Sequence, residues 1–343
     1  MRLNKLNTST AKIQTSRKLP KSSFTQFVPG RNPSPPVATK LDTLVLPPPS
    51  EGKKTGITGK EVLKKRARSK FISNNLALKL ADLNSPLRQS YFNTYHCCET
   101  LEQVEQKIVG RYCKNRWCLV CNRIRTANQI NGYRKPLQDL PDKRFLTLTI
   151  PNVSEKELPK AIEEMRDTFV LINRHIREKR KISFAGIRKL EVTYNSERND
   201  YHPHFHCIIQ GENVSRLFLD EWLERYPAAT RAAQDDRPAD DRTIKELFKY
   251  FTKIVTKGNI HVAALDVIFR AMYGLRVFQP FGVKKAVVSE DIEELRAEIY
   301  QDIVPAETQW VWQDNDWWNE STGESLTGYV PSENVLKLIQ NTG

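Results

Sequence analysis

The sequence predicts an α+β fold, and three patterns carry that prediction. Strand-like runs at 144–151, 184–194 and 203–210 are short and apolar. The turn-forming stretch Asn195–Tyr201 separates the last two, which makes them a hairpin. Between the first and second strands, Leu158, Ile162, Met165, Phe169, Ile172 and Ile176 recur at helical spacing and form one apolar stripe for packing on a sheet.

Along the chain, residues 1–58 come first. Residues 1–70 hold 16 Lys or Arg against 3 Asp or Glu, and 1–58 hold eight of the 19 prolines. Such a composition buries too little apolar surface to offset its ordering entropy, so a disordered basic arm is expected. Helical spacing begins near Gly59, giving a basic helical segment over 59–88. A cysteine-rich module is expected over 89–133, and the strands and helices described above fall within 144–285. Ser154 and Glu157 have the spacing of a capping box and open the first of those helices. Residues 286–343 read as an acidic tail containing Trp310, Trp312, Trp317 and Trp318. That tail docks on the basic domain, recruits a partner, or limits non-specific binding.

The 343 residues carry 54 Lys or Arg against 40 Asp or Glu, a net charge of +14 that points to a polyanion partner. No apolar run reaches the roughly 18–20 residues of a membrane span, and the N-terminus lacks the apolar core of a secretory signal. A cytoplasmic protein without membrane contact is expected. Five of the six cysteines lie within 97–121, which in a reducing compartment indicates a metal site rather than a disulfide framework. Cys118 and Cys121 place two thiolates on one turn, Cys113 supplies a third, and Cys97 or Cys98 the fourth. Four thiolates suit structural Zn²⁺ and leave no open coordination position. Arg116 and Arg123 beside them would face phosphate.

Three of the six histidines form His202-Pro203-His204-Phe205-His206. On a strand His204 and His206 project to one face, a pincer for a divalent cation, with His202 a further possible ligand. The hairpin would swing Glu191 beside them, and mixed His/carboxylate ligation suits Mg²⁺ or Mn²⁺. Alternating histidines also occur in the nucleotide-hydrolase triad, but Pro203 argues against it. Downstream, Ile244, Leu247, Phe248, Phe251, Ile254 and Val255 mark a helix. Glu246, Tyr250, Lys253 and Lys257 share its other face, with Lys249 alongside.

Together these residues resemble the rolling-circle plasmid replication initiators, single-tyrosine members of the His-hydrophobic-His endonuclease superfamily. Phe145-Leu146-Thr147-Leu148-Thr149 is similar to their first motif, His202–His206 to the metal motif, and Lys249-Tyr250 to the nucleophile motif. The cysteine segment is similar too, with glycine in the family where Cys98 stands, which favours Cys97 as the fourth ligand, and proline commonly where Leu119 stands. Gly274-Leu275-Arg276 and Phe281-Gly282-Val283-Lys284 resemble the closing segment.

The resemblance implies an antiparallel sheet with helices on one face, a ferredoxin or RNA-recognition-like nuclease palm. It implies Tyr250 as nucleophile and metal-dependent nicking and rejoining of single-stranded or hairpin origin DNA. It also implies Glu246 as the activator of water in termination, with a host helicase and DNA polymerase as partners. Mobilisation relaxases and single-strand transposases share the pincer and tyrosine, and a non-enzymatic zinc DNA-binding regulator is the remaining alternative.

Overall fold

The computed structural model describes residues 42–44, 59–104, 107–248, 260–286 and 308–340. Apart from 42–44, the expected arm at 1–58 lies outside them. The elements run β1 (Asp42–Leu44), α1 (Gly59–Ala81), α2 (Arg88–Tyr95), β2 (Thr100–Val104), β3 (Lys107–Gly110) and α3 (Leu119–Gln138). Next come β4 (Lys143–Thr149), α4 (Leu158–Glu178), β5 (Gly186–Asn195), β6 (Asp200–Gln210), α5 (Glu212–Arg225), β7 (Asp235–Pro238) and α6 (Asp241–Phe248). The described chain ends with α7 (Val262–Ala271), β8 (Phe278–Phe281), β9 (Thr308–Gln313), β10 (Asp316–Asn319) and α8 (Glu333–Gln340).

The fold is α+β, with two antiparallel five-stranded sheets. One has the order β7-β4-β6-β5-β8, the other β1-β3-β2-β9-β10. In the first, β5 and β6 form the expected hairpin, Asn195 pairing with Asp200. Its loop is shorter than expected because Asn195 Oδ1 accepts from the Glu197 and Arg198 amides, closing the turn at once. Pro203 is tolerated in central strand β6 because β4 ends at Thr149, opposite His204.

The expected helical stripe is buried throughout, from Leu158 to Ile176. It packs with Leu148, Leu190, Phe205 and Cys207 on one face of this sheet. The expectation of helices on one face is corrected by the opposite face, where Phe145, Ile187 and Ile208 pack with Leu137 of α3 and Ile244, Leu247 and Phe248 of α6. The strands are apolar at both parities, so each face needs a cover. Ser154 accounts for half of the expected box: its amide donates to the Glu157 carboxylate at 2.9 Å, one turn before α4 begins.

The second sheet changes the reading of the C-terminal segment. Among the described residues, 308–340 is not a tail: β9 pairs with β2, and β10 with β9. Trp317 is fully buried, and its indole N–H donates to the Cys98 carbonyl at 2.8 Å. Buried Asp316 accepts from the Thr327 amide and hydroxyl and from the Tyr329 amide, ordering the chain beyond β10. The expected module boundary at 133 falls inside α3, which runs from the cysteines to the first sheet.

Candidate active site

Glu191 sits directly opposite His204 in the β5–β6 register. Its Oε2 lies 3.6 Å from His204 Nε2 and 3.5 Å from His206 Nε2, so the three expected ligands converge. The histidines are oriented from behind. His204 Nδ1 lies 3.1 Å from the His202 carbonyl, a pairing that needs a proton on Nδ1 and turns the Nε2 lone pair toward Glu191. His206 Nδ1 meets the Thr147 hydroxyl at 3.1 Å, and its ring stacks on Phe145 with centroids 5.3 Å apart. The run 145–149 thus holds the pincer from the next strand. His202 lies beside His204, its ring tilted at 5.1 Å between centroids, but is not part of the converging group.

Lys189 was not anticipated. It is 2% exposed, and its ammonium lies 2.5 Å from Glu191 Oε1. Burial alone would raise the Glu191 pKa, but the two imidazoles and this ammonium outweigh it and hold the carboxyl well below the usual range. Burial also lowers the His206 pKa, favouring the neutral imidazole that a metal requires. Nitrogen lone pairs and a carboxylate oxygen directed at one point fit a divalent cation.

The site opens into a cleft of about 800 Å³. Glu191, Thr147 and His206 line one side, and Glu246 of α6 lines another. Asp235 and Asp240 also reach this cleft. Asp240 is engaged with the amide of Thr243 at 2.7 Å, as a cap for α6. Tyr250, Lys249, Lys253 and Lys257 lie outside the described residues.

The sulfurs of Cys97, Cys113, Cys118 and Cys121 all lie within 4.8 Å of one another. Cys97 and Cys121 are 3.5 Å apart, and Cys113 and Cys121 3.7 Å. Hydrogen bonds from the neighbouring thiols of Cys118, Cys121 and Cys97 hold Cys113 far below the ordinary thiol value. A tetrathiol cage of this kind fits structural zinc. Cys98 is not in the group. Of the two flanking arginines, Arg123 donates to the Lys65 carbonyl at 2.8 Å and packs on α1, lining neither the cleft nor the basic cavity described below.

Residues 105–220, which include three of these cysteines and the whole pincer, match the family described as Replication protein. That stretch of the chain is similar to the replication protein family. A Protein rep of Staphylococcus aureus is 29% identical over 206 residues, covering 54% of this chain and 86% of that protein. One of Streptococcus pneumoniae serotype 2 is 29% identical over 199 residues, 51% of this chain and 61% of its own length. One of Bacillus amyloliquefaciens is 34% identical over 127 residues, 33% of this chain and 37% of its own. No solved structure matches the chain. The expected rolling-circle plasmid initiator family is borne out.

Two departures of the cysteine segment from the pattern it resembles have local explanations. Cys98 adopts φ 59°, a region glycine enters freely, which accounts for glycine at that position in the family. Leu119 is the first residue of α3, where proline is favoured, yet here its amide donates to Ser73 Oγ at 2.9 Å, a bond proline cannot make. No described helix is long and apolar enough to cross a membrane.

Proposed function

We propose that this protein initiates plasmid rolling-circle replication by nicking and rejoining origin DNA. The observation that carries the proposal is the convergence of Glu191, His204 and His206 beside a cleft that Glu246 also lines. Mg²⁺ or Mn²⁺ held by those three residues would polarise the scissile phosphate. The Tyr250 oxygen attacks phosphorus, the bond to the 3′ oxygen breaks, and that oxygen takes a proton. The products are a 5′-phosphotyrosine and a free 3′-hydroxyl from which a host polymerase extends, behind a host helicase. A phenol ionises only near pH 10, so Lys253 assists by stabilising the phenolate. The phosphotyrosine bond conserves the phosphodiester's energy, so rejoining needs no ATP.

At termination, Glu246 takes a proton from water and directs it at the second phosphate. One tyrosine and one carboxylate then give one round rather than endless reinitiation. Lys249, Lys257 and Arg116 serve as phosphate contacts, and zinc in the cage of Cys97, Cys113, Cys118 and Cys121 would hold the module in shape. The nick site must be single-stranded or extruded, because a stacked duplex cannot bring its phosphate into such a pocket.

The test is Tyr250→Phe with a labelled origin oligonucleotide on a denaturing gel. Only the hydroxyl is lost, so the fold and origin binding should persist while the covalent adduct disappears. An adduct that survives in the variant would refute the assignment of the nucleophile.

A further inference from the structure

A second cavity, of about 120 Å³, lies on the same face of the nuclease sheet, and Leu247 lines both it and the cleft. One water needs roughly 10–15 Å³, so the cavity has room for a group much larger than one water. Its cationic lining is Arg116, Arg125, Arg276 and Lys189, and among the described residues no carboxylate side chain lines it. The α3 residues facing it are Asn122, Arg125, Thr126 and Gln129, at the i, i+3, i+4, i+7 spacing of one helical face. A helix packed on a sheet normally fills that stripe with apolar side chains, as α4 does here. A polar, cationic stripe turned inward onto a cavity is what an anion requires.

The cavity is built jointly by the two parts of the fold. Arg116 lies in the loop between Cys113 and Cys118, and Asn122 Nδ2 donates to its carbonyl at 2.6 Å. Arg125 donates to the Lys114 carbonyl at 2.8 Å and to Asn122 Oδ1 at 3.1 Å. The cysteine loop is therefore tied to one wall. Lys189, at another, contacts the pincer carboxylate. Phe248 and Phe278, with ring centroids 5.3 Å apart, add an aromatic wall that a sugar or base covers and inorganic phosphate does not.

We propose that this cavity is a subsite for a backbone phosphate of the strand being nicked, a nucleic-acid phosphodiester held between the cysteine loop and the nuclease sheet. The inference rests on the nicking function proposed above. It gives the cysteine module a role at the reaction centre in addition to any part in origin recognition.

The experiment measures binding of a fluorescent single-stranded origin oligonucleotide to the full chain over a range of salt. Tyr250→Phe serves as background, so that the strand stays intact. Adding Arg125→Gln and Arg276→Gln should weaken binding at least tenfold. It should also flatten the plot of log affinity against log salt by roughly 0.7 for each phosphate no longer neutralised. Exposed Arg276→Gln alone, with an unchanged circular dichroism spectrum, should show a smaller effect of the same sign. Unchanged affinity and slope in both variants overturns the proposal. So does loss of stabilisation by inorganic phosphate with strand affinity unchanged, which would make this a free-phosphate site. A wild-type protein that binds the strand through these arginines but never nicks it would refute the nicking reading and leave the subsite standing. Normal nicking with pocket variants that bind like wild type would do the reverse.

Discussion

Glu191→Gln separates two roles that meet on one carboxylate. In the native protein its Oε1 neutralises the Lys189 ammonium at 2.5 Å, while Oε2 faces both imidazoles. Removing one partner of a buried ion pair costs about 3–5 kcal/mol. Glu191 is 20% exposed and glutamine keeps one acceptor, so the low end, about 3 kcal/mol, is expected. For a domain of this size that lowers Tm by roughly 6–12 °C. Lys189→Met added to Glu191→Gln should recover most of the loss, because the buried charge is then gone. It should not recover metal binding, since two imidazoles remain where there were three ligands.

Thermal and urea unfolding in EDTA and then in Mn²⁺ read both effects. At a Mn²⁺ concentration of 100 Kd the wild type gains about 2.7 kcal/mol. A variant with a 100-fold weaker site gains only about 0.4 kcal/mol at the same concentration. Equal stabilisation of wild type and Glu191→Gln would show that the carboxylate is no ligand. Equal stability in EDTA would show that the pair with Lys189 contributes nothing to the fold.

Two further outcomes follow from the same geometry. Cys118→Ser should release about one zinc per chain and shift Trp317 fluorescence, because the indole is bonded to the Cys98 carbonyl beside the cage; an active wild type free of zinc by elemental analysis would refute the site. Glu246→Ala should nick at the normal rate but terminate poorly, accumulating multimeric single strands, whereas an equal loss of the first nick would assign Glu246 to the tyrosine or the cation.

Much of the site was legible because its signals are local. Alternation along a strand places His204 and His206 on one face, and the buried Phe205 between them follows from the same period. The Glu191 placement needed only a hairpin with the right register, and the register is the one that buries Leu190 with Phe205 on the other face. Lys189 was missed although it lies two residues before Glu191 on the same face. A buried lysine looks in sequence like any exposed one. The β9–β10 hairpin was missed for a different reason. Trp310 and Trp312 alternate as a strand requires, and Asp314-Asn315 forms a two-residue loop with Asp314 at φ 53°. Net negative charge obscured that pattern.

The sequence by itself determined the three central strands of the first sheet, the histidine pincer and the cysteine spacing. These rest on short-range periodicity and on ligand chemistry confined to a few neighbouring residues. The tertiary structure alone decided that the C-terminal hairpin completes the sheet beside the thiol cage, and that helices cover both faces of the first sheet. It also decided that Arg116 and Arg125 meet Arg276 and Lys189 around one cavity. Each of these depends on which apolar surfaces bury one another across long stretches of chain. The same local pattern fits many such pairings, and only the packed whole selects one.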